Sequence, residues 1–259
     1  MGIINVTPDS FYSSSQKQST EETLQVAAKM LDEGTTILDV GGQSTRPGST
    51  RIDANEEIDR VSPVIEIIHK NFPGAFISVD TYAARVAQEA VNAGACIVND
   101  ISGGSMDENM LSTVGKLKVP YVCMHIQGKP ETMQANPSYE NVTREVLDYF
   151  IAQTEKCRLN NIFDVIVDPG FGFGKTAKHN FQLLRELSVF KMLDKPILAG
   201  LSRKATIYKT LNITAEEALN GTTVLNTIAV LNGASVLRVH DVKEAVQTIK
   251  LIEAFSASK

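Results

Sequence analysis

The chain is short of several things, and each shortage removes a class of protein. No uninterrupted apolar run in its 259 residues reaches six, far below the roughly 18 that cross a bilayer, so no membrane-spanning helix is expected. Positive charge is in deficit, with 25 Lys and Arg against 30 Asp and Glu, a net charge of -5 and a pI near 5.5. Such a chain has no general basic surface for nucleic acid or anionic lipid, and an anionic ligand must be held by local charge. Cysteine is scarce: Cys96, Cys123 and Cys157 are an odd number with no CxxC pair, and no secretory leader pattern opens the sequence. That favours a reducing, cytoplasmic location and three small core thiols over a disulfide framework. His69, His125, His179 and His240 never fall into HxH or HExxH spacing, which removes the familiar zinc sites.

What is present is a globular composition, 43% apolar and 21% charged, able to bury a large core without staples. Read for period, the chain repeats one unit: a short β-branched run, a polar glycine-rich loop and an amphipathic stretch. Strands are expected at 2–6, 36–40, 76–80, 96–100, 120–125, 165–168, 196–200 and 236–240. Helices are expected at 20–32, 55–70, 83–92, 108–117, 139–160, 179–193, 215–232 and 242–255, one after each strand. Glycine closes three of the helices before a nearly continuous apolar strand, at Gly34, Gly94 and Gly233, as parallel buried strands require. Strict alternation implies a parallel sheet, and eight units in this length imply an α/β fold of the closed (β/α)8 TIM barrel type. With no linker or composition shift, residues 1–259 read as one barrel domain.

A barrel builds its active site from strand C-termini and the loops that follow them. Asn5, Asp39, Asp80, Asn99 with Asp100, Met124 with His125, Asp168, Ser202 with Lys204, and Arg238 with His240 stand at those ends. Carboxylates and carboxamides there would be half-buried, where an unpaired polar group costs about 1–3 kcal/mol. The loops after the first, second and fifth strands are longer or richer in glycine and proline than the usual connection of about 2–6 residues, and such loops act as lids as often as they are merely disordered. The segment DPGFGFGKT at 168–176 fails both the P-loop and the GxGxxG spacings. What remains is a strand end that delivers Asp168 into a glycine-rich turn beside Phe171 and Phe173, which by itself reads equally as a site for a flat ring with hydrogen-bonding edges or as a tight turn with two core phenylalanines.

Taken in order, NVTPDSF at 5–11, DVGGQSTRPG at 39–48, SVDT at 78–81, VNDISGG at 98–104, CMHIQGKPETMQ at 123–134, DPGFGFGK at 168–175, GLSRK at 200–204 and RVHDV at 238–242 together resemble the dihydropteroate synthases, folate-pathway targets of sulfonamides. The resemblance covers nearly the whole chain. It implies a pterin-binding barrel that joins 6-hydroxymethyl-7,8-dihydropterin diphosphate to p-aminobenzoate, releasing diphosphate and forming 7,8-dihydropteroate.

Position by position, the resemblance implies a pterin pocket of Asp80, Asn99, Met124, Asp168, Phe173, Lys204 and Arg238, in which carboxylates accept from the pterin N–H edge. It implies an aminobenzoate site of Phe11, Thr45, Arg46, Pro47 and Ser202, and a diphosphate site of Asn5, Arg46, Arg238 and His240, with Mg2+ linked to Asn5. Asp80, Lys204, Arg238 and His240 would be catalytic, in an SN1-like displacement that needs no strong base because an arylamine is neutral at pH 7. It further implies a homodimer, competitive inhibition by sulfonamides and no nucleic-acid or membrane partner. Two residues depart from the commoner pattern: Gln43 replaces Glu, and Ala205 replaces the serine of SRKS. Read singly, Arg238 is a rim salt bridge, Lys204 a solvated lysine and His240 a helix cap; the ordered set gives them chemistry. The rival readings are a pterin-dependent methyltransferase barrel and an inactive barrel kept as a binding or scaffold subunit.

Overall fold

A computed structural model describes residues 1–6, 16–43, 52–130 and 132–258, with the side chains of 16–20 left aside. All eight expected strands form: β1 (Gly2–Asn5), β2 (Ile37–Gly41), β3 (Phe76–Asp80), β4 (Ile97–Asp100), β5 (Tyr121–Met124), β6 (Val165–Asp168), β7 (Leu198–Ala199) and β8 (Val236–Leu237). Every ladder is parallel. One sheet runs β1-β2-β3-β4-β5-β6, and β7 and β8 form a separate pair. Two single bridges complete the ring, Val167 to Ile197 and Gly2 to Val239. Each is backed by main-chain bonds: Val167 N–H donates to Pro196 O at 2.9 Å, and Ile3 N–H donates to Val239 O at 3.0 Å. The chain is therefore a (β/α)8 barrel, a six-stranded wall closed by a two-stranded one.

The helices are α1 (Gln16–Asp32), α2 (Ala54–Asn71), α3 (Ala84–Asn92), α4 (Met110–Leu117), α5 (Val142–Leu159), α6 (Ala177–Arg185), α7 (Ala205–Leu211), α8 (Leu219–Leu231) and α9 (Val242–Ala257). In α2, Asp53 caps the N-terminus by accepting from the Asn55 and Glu56 N–H groups at 2.7 and 3.1 Å. Its Val61, Val64, Ile65 and Ile68 stripe is buried against the sheet, the helical period meeting the strand period in one core.

Three expectations change. One helix per strand is wrong, because α7 is an additional helix between β7 and α8, which itself starts at Leu219 rather than Ala215. The single helix expected over 179–193 is split: α6 ends at Arg185, and a 3-10 helix runs over Leu187–Leu193. In a 3-10 turn positions three apart eclipse, so Leu187 and Phe190 are both fully buried. The last two strands are also shorter than the five residues expected for each.

Period-two alternation places the functional layer. Ile37, Ile97, Val122, Ile166, Leu198 and Val236, with Met1 and Cys96, form an apolar cluster. Two residues further along the same strands come Asp39, Asn99, Met124, Asp168, Gly200 and Arg238. Residues two apart on a strand share a face, so an apolar plug gives way, one step up, to polar groups at the C-terminal mouth.

Candidate active site

The floor of the mouth is an ionic bridge between the two walls. Asp39 is fully buried in β2, and its Oδ2 accepts from Asn99 Nδ2 at 3.0 Å and from Arg238 Nε at 2.6 Å. Arg238, just beyond β8, also donates from Nη2 to Asp80 Oδ2. The β-ladder explains the convergence: Asn5, Gly41, Asp80 and Asn99 are successive register partners across β1 to β4, and Gly41 lacks the side chain that would crowd Asp80. A Cβ there would lie 3.3 Å from that of Asp80.

Burial makes Asp80 a weak acid. It pushes the carboxyl up to about 7 although Arg238 pulls the other way, with Asp39 adding repulsion. Burial raises Asp168 as well, and Lys204 is the main opposing influence. Burial works against the charge of Arg238, yet Asp39 and Asp80 more than offset it and hold the guanidinium protonated.

Asp168 ends β6 and turns its Oδ1 onto the Gly170 N–H at 2.7 Å. The following turn has left-handed backbone at Gly170, Gly172 and Gly174, with φ of 69°, 84° and 62°. At Gly170 a side chain would collide with the His125 carbonyl, and at Gly174 with that of Gln127. The alternating glycines therefore let this turn lie directly on the loop after β5. Lys204 reaches across from the two-stranded wall, donates to Phe171 O and sits 4.8 Å from the Phe173 ring centre. Burial lowers it to about 8, with Asp168 pulling it back up. Phe173 packs with Met124, Tyr82 and Ile101 in a small apolar cluster beside these charges. Flat apolar packing, edge acceptors and one lysine suit an aromatic heterocycle rich in N–H groups.

The rim is set by Arg203. Its backbone is left-handed at φ 52°, and its guanidinium grips Asp241 at 2.9 and 2.8 Å and the Ala215 and Glu216 carbonyls at 3.1 and 2.7 Å. This fixes Ser202 and Lys204 on either side. Ser202 Oγ accepts the His240 N–H at 3.2 Å and lies 3.1 Å from His240 Nδ1. With the backbone donor accepted, the hydroxyl proton is available to Nδ1, which leaves Nε2–H as the free donor of a neutral ring. His240 is exposed at its edge, yet desolvation, then Arg238, push it down to about 4.

Of the residues expected from sequence, Asp80, Asn99, Met124, Asp168, Phe173, Lys204 and Arg238 share the mouth, with Ser202 and His240 on the rim and Asn5 exposed at the end of β1. Phe11, Thr45, Arg46 and Pro47 lie outside the described residues. Gln43 accepts the Ile52 N–H at 2.8 Å and so ties the two stems of the loop after β2. Ala205 opens α7. Asp39 was missing from the expected ligand set, although its signal is plain: an acid in the buried run ILDVG is costly unless something pairs with it.

The layout defines a barrel of the enzyme type, with a mouth whose carboxylates and cations suit a planar, donor-rich heterocycle. The sequence matches the pterin binding enzyme family over residues 1–240. It is 42% identical over 261 residues to the dihydropteroate synthase of Escherichia coli, covering 100% of this chain and 92% of that one. A crystal structure of the Yersinia pestis dihydropteroate synthase with a sulfonamide drug superposes at a TM-score of 0.93 and 39% identity, covering 99% of this chain and 94% of that one. The Xanthomonas albilineans dihydropteroate synthase in complex with 7,8-dihydropteroate superposes at 0.88 and 33% identity, covering 100% and 93%. The chain belongs to the pterin binding enzymes and, among them, to the dihydropteroate synthases.

Proposed function

We propose that this chain transfers the dihydropterin-methyl group of 6-hydroxymethyl-7,8-dihydropterin diphosphate to p-aminobenzoate, forming 7,8-dihydropteroate. The carrying observation is the convergence of Asp39, Asp80, Asn99 and Asp168 on Lys204 and Arg238 at one mouth. Asp168 and Asn99 take the pterin edge, Lys204 the carbonyl side, and Met124 and Phe173 pack on the ring. Arg238 turns towards the departing diphosphate, which His240 meets with its Nε2–H. Ionised Asp80 then faces the methylene carbon as positive charge develops there, and preorganised charge is the main catalytic device. The neutral arylamine attacks, forming the C–N bond as the C–O bond to diphosphate is lost, and sheds one N–H proton to water; Ser202 and the loop residues Phe11, Thr45, Arg46 and Pro47 serve its site, where sulfonamides would compete.

Among the described residues no group of three or more His, Cys, Asp or Glu is placed to hold a metal. Asn5 offers one neutral oxygen at the exposed end of β1. Mg2+ keeps its waters and shares substrate phosphates, so this donor set fits an ion that arrives with diphosphate. Bound there, it supplies charge neutralisation at the leaving oxygens.

We also assign the protein to the cytoplasm and to a homodimer. Support for the dimer is the row Val224, Ile228 and Leu231 exposed on α8, with Leu211 on α7 and Phe181 on α6. Diphosphate release from the two substrates, with and without Mg2+, tests the activity. Loss in Lys204→Ala and Asp168→Ala with retention in Cys123→Ala supports it; no release by the wild type overturns it. Spectral titration with cobalamin separates the methyltransferase alternative.

A further inference from the structure

Lys175 closes the DPGFGFGK segment, yet the proposed chemistry does not use it. Its side chain is 2% exposed, an unusual place for an ammonium group. The surroundings explain how it is tolerated. Nζ lies 2.9 Å from His125 Nδ1, 3.1 Å from Gly170 O, 3.1 Å from Phe173 O and 3.3 Å from His125 O. Burial lowers Lys175 to about 7, with Asp168 pulling it back up, so ammonium and neutral amine share the site near neutrality; the ammonium's three donors serve the three nearest acceptors while the His125 carbonyl shares. Burial holds His125 neutral, pushing it down to about 3, so its Nδ1 can accept.

These acceptors come from two loops. His125 follows β5, whereas Gly170 and Phe173 belong to the turn after β6. Gly170 is the residue whose N–H holds the Asp168 carboxylate, and Phe173 carries the ring beside Lys204. A second tie holds the same turn from outside, because Asn180 Oδ1 accepts the Gly172 N–H at 2.8 Å.

We propose that Lys175 is a positioning residue for pterin recognition: its buried amino group gathers the turn 170–174 onto the loop after β5 and thereby sets Asp168 and Phe173 against the ring. The inference rests on the reading of this mouth as a pterin site. Without the Lys175 amino group, three carbonyls and an imidazole face one another with no shared donor. The turn then relaxes, and the pterin loses its edge acceptor and its packing face together. Aminobenzoate, held by other loops, is little affected.

The test compares wild type, Lys175→Met and the milder Lys175→Gln, which keeps two N–H donors. Calorimetry with 6-hydroxymethylpterin as a non-reacting probe is paired with steady-state kinetics for both substrates. The expected result is a weakening of probe binding and a rise in pterin KM of about tenfold or more in Lys175→Met, less in Lys175→Gln, with aminobenzoate KM within about twofold. Mere destabilisation would lower the active fraction, and with it kcat, at unchanged pterin KM. A wild type that fails to bind the probe overturns the pterin reading itself. Wild-type binding matched by both variants, equal losses for both substrates, or failure of both variants to fold overturns the role given to Lys175.

Discussion

Asp80 is a reluctant anion, and this has two measurable consequences. If the free enzyme must present Asp80 ionised, the pH profile of kcat/KM for the pterin substrate falls on the acid side of about 7. Asp80→Asn is expected to remove that acid limb along with most of the activity. The second consequence concerns folding. Below the ordinary carboxyl value of 3.8 the group is protonated in both states and contributes nothing. Between there and about 7 the unfolded chain ionises first, so stability falls as pH rises, and above 7 the whole cost stands. Asp80→Asn should therefore raise the melting temperature, and by more at pH 8 than at pH 5. A lower melting temperature at pH 8 would show that the Arg238 pair outweighs burial.

Among the elements, the strands were the most legible in the sequence. Parallel strands covered on both faces read as short β-branched runs, and the polar residue at the end of each run marked the mouth. α7 was not legible because ATIYKTL is only seven residues, three of them β-branched, and it stops in left-handed backbone at Asn212. The break after Arg185 was equally hidden, since tertiary burial of Leu187 and Phe190 chooses the tighter turn there, not local propensity. Asp39 illustrates the limit at the site: its type and place were readable, but its bonds to Asn99 and Arg238 depend on register across three strands. Helix α4 gives a test away from the mouth. A Cβ on Gly115 would strike the Asn160 carbonyl just past the end of α5, so no side chain fits at this point of the contact. Gly115→Ala should cost about 1–3 kcal/mol in urea unfolding, with activity per folded molecule unchanged.

At the scale of the molecule, the exposed row on α8 bears on assembly. Val224, Ile228 and Leu231 stand at intervals of four and three and so share one face of the helix. If the proposed homodimer docks through this face, Val224→Lys together with Ile228→Glu shifts the mass measured by light scattering from two chains to one. An unchanged dimer would place the interface elsewhere. The closure of the barrel has a consequence of its own. The pocket acids and Asn99 all come from the six-stranded wall, while Lys204, Arg238 and His240 come from the β7 and β8 side, and among the described residues each seam between the walls is a single bridge with a few main-chain bonds around it rather than a full ladder. Arg238, held by Asp39 and Asp80, thus acts as a clasp across the barrel as well as a ligand group. A substrate that draws Arg238 towards its own anion takes over the fastening, so occupancy of the mouth should be readable as altered amide exchange at Val236–Val239, in the backbone of the seam itself.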